Sequence, residues 1–200
     1  MMQAALAAVE NNQAMLNQLD SATGDGDHGT AIQAAMKAAC AAAQKEGTLK
    51  STLETVGWDV MSLTSGSTSA LLGSFFVGMS QAVDAEELDA KQAIAMFESG
   101  LANIRTSTKA CVGDKTSMDA LIPAIEAMIA LKEKSPKLID LFAAAADAAQ
   151  KGADSTVDLV AKFGRARNLG ERSRGSLDPG AASTSLIYKA YYEAVSASCT

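Results

Sequence analysis

Apolar residues recur at three- and four-residue intervals along much of the chain: Leu53, Val56, Val60 and Leu63; Ile94, Phe97, Leu101 and Ile104; Leu121, Ile125 and Met128. A helix brings such positions onto one face, so each set is a single stripe for burial. The spacing predicts helices over roughly 2–18, 29–46, 51–63, 68–82, 86–104, 117–133, 136–150, 153–163 and 179–198, about eight once short neighbours merge. Polar residues mark the starts. Ser51 and Glu54 have capping-box spacing, Ser135 precedes Pro136, and Asp178 precedes Pro179.

Composition sharpens this to an all-α expectation. The chain is rich in alanine, poor in β-branched and aromatic residues, and has only three prolines, which favours close-packed helices over sheet. Its 200 residues, 48% of them hydrophobic, suffice for one domain over 1–200 with its own core, and no repeat or long linker divides them. A net charge of −6 argues against nucleic acid as partner. Any anionic ligand must then be met locally, by cations, helix N-termini or metal. Cys40, Cys111 and Cys199 are odd in number and far apart, which indicates neither a disulfide framework nor a zinc site and suits a reducing cytoplasm. No membrane span or signal peptide is expected.

The chemistry concentrates in the polar segments between stripes. Asp20-Ser21-Ala22-Thr23-Gly24-Asp25-Gly26-Asp27-His28-Gly29 puts three carboxylates and three glycines into one turn. Carboxylates this close repel unless a cation separates them, and all-oxygen ligands suit Mg²⁺ or Ca²⁺. An EF-hand counted from Asp25 fails, because Gly29, Thr30 and Met36 stand where a carboxylate, the turn glycine and the closing glutamate belong. An open Mg²⁺ site completed by water and phosphate oxygens fits better. Three further segments are too elaborate for plain turns: Thr64-Ser65-Gly66-Ser67-Thr68-Ser69, Cys111-Val112-Gly113-Asp114-Lys115-Thr116, and residues 164–180. Each precedes a predicted helix, where backbone N–H groups beside glycine and hydroxyl residues can receive phosphate. Any one alone would read as a helix cap. There is no G-x-x-x-x-G-K-[ST] and no strand before a G-x-G-x-x-G. His28, the only histidine, sits in the aspartate turn, where orienting that turn by a hydrogen bond is at least as good a role as chemistry, and no serine triad can form elsewhere.

Four ordered motifs resemble the nucleotide-binding L subunit, or L domain, of dihydroxyacetone kinases over nearly the whole chain. They are Leu19-Asp20 with Gly24-Asp25-Gly26-Asp27-His28-Gly29; Gly66 on to Gly73-Ser74-Phe75-Phe76; Gly113-Asp114-Lys115-Thr116 with Asp119 and Pro123; and Gly164-Arg165-Ala166 with Leu169-Gly170-Glu171-Arg172-Ser173 and Asp178-Pro179-Gly180-Ala181. The resemblance implies an antiparallel barrel of eight helices with an adenine nucleotide, ATP or ADP, at one end. It implies that Asp20, Asp25 and Asp27 hold two Mg²⁺ ions, that His28, Gly29 and Thr30 approach the phosphates, and that Thr68 bonds a phosphate from a turn shaped by Gly66 and Ser67. Ser117 and Met118 would lie on the adenine side, Gly113 would also bind the nucleotide, and Arg165 with Asp178, Pro179 and Gly180 would border it. Departures from the family pattern fall at Ala31, Ser69, Ala70 and Ser117 and leave the three aspartates intact.

The function so implied is phosphoryl transfer to dihydroxyacetone or a related short ketose held covalently on a separate K subunit. The nucleotide is either exchangeable ATP or resident ADP rephosphorylated by a phosphocarrier protein. A nucleotide-sensing regulatory subunit that binds a transcription factor or kinase is the alternative from another class. A homodimer stays open.

Overall fold

Among the described residues of this computed structural model, 1–63 and 66–198, eight α-helices form and no strand does. Thr64, Ser65, Cys199 and Thr200 lie outside them, and with them the start of the hydroxyl loop and the third cysteine. The helices are α1 (Met2–Ser21), α2 (His28–Ala42), α3 (Leu49–Met61), α4 (Gly66–Ser80), α5 (Ala90–Ser107), α6 (Met118–Ile129), α7 (Leu138–Ser155) and α8 (Pro179–Ser198). Each packs against the next, and α8 returns to α1, so the ring closes. The first residues of α2, α4, α6 and α8 all border one cavity, which makes neighbouring helices antiparallel.

The stripes read from the sequence meet in one core, with Val56, Val60, Ile94, Phe97, Ile104, Ile125 and Met128 buried. Phe75, Phe97, Phe142, Tyr188 and Tyr191 form a chain of edge-on and tilted ring contacts across it. Where α3 crosses α4, a Cβ on Gly73 would lie 2.6 Å from the Gly57 carbonyl oxygen and 2.9 Å from the Met61 nitrogen. The backbones therefore touch only because both residues are glycine. Pro123, inside α6, has no N–H for the Asp119 carbonyl, and Gly152 of α7 packs directly on that carbonyl with no room for a side chain.

Several helix boundaries differ from the sequence reading. Thr48, not Ser51, caps α3, its hydroxyl accepting the Ser51 N–H. The helix expected from 86 begins at Ala90, because Asp89 and Gln92 make a reciprocal capping box there. Ser135 is left-handed, with φ 50°, and α7 starts beyond Pro136 with the Asp140 carboxylate accepting the Lys137 N–H. No separate helix spans 153–163. Instead α7 runs to Ser155, one 3₁₀ turn covers Thr156–Asp158, and the backbone is extended at Leu159. The donors that a helix would use internally go elsewhere: Ala161 N–H to the Ser173 hydroxyl, Lys162 N–H to the Asp114 carbonyl. Those bonds position the site loops.

Candidate functional site

Asp20 lies in the last turn of α1 with its carboxylate turned into the loop, where Oδ2 accepts the N–H groups of Gly26 at 2.9 Å, Asp27 at 3.0 Å and His28 at 3.3 Å. The turn can close this tightly because Gly26 takes φ +80° and a Cβ on Gly24 would strike the Asp20 carboxylate. Asp27 occupies the N-cap position of α2, yet its side chain makes no cap hydrogen bond. It lies instead beside Asp25, with which it shares a side-chain hydrogen bond. One carboxylate oxygen from each of Asp20, Asp25 and Asp27 lies within 4.8 Å of the others. Loss of solvent, then the charges of Asp25 and Asp20, push the Asp27 carboxyl above its ordinary range. A divalent cation would relieve that repulsion. Among the described residues the one ion pair reaching this cluster is Arg165 with Asp25.

The cluster forms one rim of a cavity of about 710 Å³ that runs into the barrel towards Phe75, Tyr188 and Tyr191. That volume falls within the roughly 300–1,000 Å³ usual for small-molecule sites. Four helix N-termini open on it, through His28, Gly66, Met118 and Pro179. Such ends present the positive pole of the helix dipole next to an anionic cluster, while Thr116, Ser117 and Asp178 already take the first N–H groups of α6 and α8. Carboxylates and N–H donors facing one space suit a ligand that is anionic and metal-bound.

His28 links three helices. Its Nε2 lies 2.9 Å from the Ser183 hydroxyl on α8 and its Nδ1 3.5 Å from the Thr68 hydroxyl on α4, while burial holds the imidazole below its ordinary pKa. A neutral ring so held orients Thr68 and Ser183. Asp178 caps α8, accepting the Ala181 N–H at 2.7 Å, and burial pushes its carboxyl up to about 7. Gly180 lies against Ser117, so the α8 and α6 walls meet.

Of the residues singled out from sequence, Asp20, Asp25, Asp27, His28, Gly66, Ser67, Thr68, Ser117, Met118, Arg165, Asp178, Pro179 and Gly180 all border this cavity. Gly29, Thr30 and Gly113 do not. Gly29 packs against the Gln13 carbonyl of α1, and the Thr30 hydroxyl accepts from Gln13 and Asn17, because α1 and α2 cross there at backbone contact. Gly113, at φ +94°, gives its N–H to Asp119. Lys115 and Thr116, which the sequence reading quoted only within a motif, and Ser183, which it left out, also border the cavity. Asp119, quoted only as part of a motif, is fully buried and accepts the N–H groups of Gly113 and Thr116 at 2.6 and 2.7 Å, so it sets the whole loop.

The DAK2 domain family matches residues 22–193. Over 184 residues the chain is 36% identical to the ADP-binding subunit DhaL of PEP-dependent dihydroxyacetone kinase 1 of Listeria innocua, covering 91% of this chain and 87% of that one. The corresponding DhaL subunit of Escherichia coli is 33% identical over 173 residues, 84% and 81% of the two chains. The crystal structure of the dihydroxyacetone kinase of C. freundii in complex with AMP-PNP and Mg²⁺ superposes with a TM-score of 0.74 at 26% identity. It matches 96% of this chain, which spans only 33% of that enzyme. In fold and in sequence, this chain belongs to the DAK2 domain family.

Proposed function

We propose that the chain is one nucleotide-binding domain over 1–200, acting in the cytoplasm as the phosphoryl-transferring subunit of a kinase for dihydroxyacetone or a related short ketose. The observation that carries this is the meeting of three clustered carboxylates and four helix N-termini on one cavity. In this reading Asp20, Asp25 and Asp27 hold Mg²⁺, two ions by resemblance to the family. The donor set fits, being all carboxylate, compact and open on one side to water and phosphate oxygens. Bound Mg²⁺ supplies neutralisation of the polyphosphate charge.

The chain's own groups do the positioning. Thr68 and the start of α4, reached through Gly66 at φ +69°, offer a hydroxyl and N–H donors to the phosphates, with Ser67 in the same turn. His28 keeps Thr68 and Ser183 oriented. Arg165 stands at the phosphate side, beside Asp25. Ser117, Met118 and the Asp178-Pro179-Gly180 turn border the base and sugar. Gly29, Thr30 and Gly113 act on the ligand only through the backbone they shape. The relatives that this chain covers most fully are named ADP-binding subunits of PTS- or PEP-dependent dihydroxyacetone kinases. That supports resident ADP rephosphorylated by a phosphocarrier protein over ATP exchanged at each turnover.

The acceptor belongs on a separate K subunit. Covalent capture of a ketose as in the family needs a histidine, and His28, the only one in the sequence, is engaged on both ring nitrogens. A coupled assay for phosphorylated triose checks this, using the purified chain with Mg²⁺ and either ATP or a phosphocarrier system, before and after adding a K subunit. No turnover by the chain alone and turnover with the K subunit are expected. Full-rate turnover by the chain alone, or none with K subunit and either donor, contradicts the reading.

A further inference from the structure

Lys115 is 2% exposed and holds a left-handed backbone at φ +60°, a conformation unfavourable for a residue with a Cβ. Its ammonium donates to the backbone carbonyls of Thr156 and Ser176, which are otherwise far away in sequence. Among the described residues no carboxylate lies within salt-bridge distance of it. Asp178, Asp119 and Asp158 offset part of the cost of burying this cation from beyond ion-pair distance, and its direct bonds go to backbone carbonyls. What the two bonds do is join segments. Thr156, besides receiving Lys115 on its carbonyl, accepts the Asp178 N–H on its hydroxyl at 2.9 Å, and the Gly175 N–H bonds the Val157 carbonyl at 2.8 Å. At the other end Asp119 pins the loop that carries Lys115. Lys115 therefore stands between two walls of the cavity, residues 113–118 and 176–180, whose seam is the contact of Ser117 with Gly180.

We infer that Lys115 is a positioning residue for the nucleotide: its buried ammonium ties the loop before α6 to the turn before α8 and so presets the seam on which base and sugar rest. This rests on the nucleotide reading above. The aspartate turn lies on another wall, so the clamp governs nucleotide affinity and leaves metal affinity in the absence of nucleotide alone. Lys115→Met removes the donors at similar length, Lys115→Arg keeps them, and Lys115→Gln serves where Met does not fold.

The test compares three measurements on each variant: Mg-ADP binding by calorimetry, Mn²⁺ binding without nucleotide by electron paramagnetic resonance, and amide hydrogen exchange of the ligand-free protein. In Lys115→Met or Lys115→Gln the Mg-ADP dissociation constant rises by about tenfold or more. Mn²⁺ affinity stays within about twofold, exchange quickens at 113–118, 156–158 and 174–181, and Lys115→Arg recovers most of the loss. Unchanged Mg-ADP affinity, an equal loss of Mn²⁺ affinity, or exchange quickened throughout the barrel overturns the inference. Failure of the wild-type chain to bind Mg-ADP would instead sink the nucleotide reading, and the exchange pattern alone then decides whether Lys115 clamps the seam.

Discussion

At the residue scale, the groups that sequence made visible are those whose chemistry conflicts with a plain turn. Three carboxylates among glycines are more than one turn needs: Asp20 takes the turn's N–H groups, while Asp27 sits at an N-cap position without capping. Lys115 and Asp119 were invisible as anchors, because a side chain that bonds distant backbone leaves no period and no spacing to detect. Thr30 misled for the opposite reason: it stands beside the motif, but the α1 crossing claims its hydroxyl. Asp178 yields a pH prediction. Burial, and more weakly Asp119, push its carboxyl up to about 7 from 3.8, opposed by the Ala181 and Gly180 N–H groups and Lys115. The folded state thus holds a proton that the unfolded chain has released, so this contribution to stability is full below about pH 4 and lost as pH rises through 7. Urea unfolding in EDTA between pH 5 and 8 should show stability falling with pH in the wild type and less steeply in Asp178→Asn, which keeps the cap acceptor. Identical slopes would contradict the assignment.

At the element scale, the stripes located the helices because burial against neighbours decides most of a helix's stability. Boundaries were less legible. Competing caps, Thr48 against Ser51 and Asp89 against its flanks, differ by small local energies that tertiary contacts decide. The reading of a helix over 153–163 failed because Ala161 and Lys162 spend their N–H groups on Ser173 and Asp114. The α3–α4 crossing gives a sharper test. Ala at Gly73 would meet the Gly57 carbonyl and Met61 nitrogen, backbone atoms that cannot swing aside. Overpacking of this kind costs up to about 3 kcal/mol, of which better helix propensity returns about 1. Gly73→Ala should therefore lose about 2 kcal/mol, a fall in melting temperature of roughly 4–8 °C by calorimetry. A melting point equal to wild type would show that the helices can separate freely there.

At the scale of the whole molecule, the antiparallel ring explains why one end carries the chemistry. Alternation sends α2, α4, α6 and α8 to start at the same rim, while α1 ends there with Asp20. In the proposed function a chain of net charge −6 faces a polyanion because helix dipoles, Arg165 and a metal on the aspartates would outweigh the average charge locally. The ring itself came from family resemblance, since periodicity gives helices and not their closure. The central claim is that the aspartate turn and the four helix starts act as one metal-nucleotide site, so metal and nucleotide must bind cooperatively. Calorimetric titration of ADP into the wild type and Asp25→Ala, each with and without Mg²⁺, tests this most directly. Tight binding only with Mg²⁺ is expected in the wild type, weakened at least about tenfold in Asp25→Ala, which is about 1.4 kcal/mol. Mg²⁺-dependent affinity that survives Asp25→Ala unchanged would contradict it.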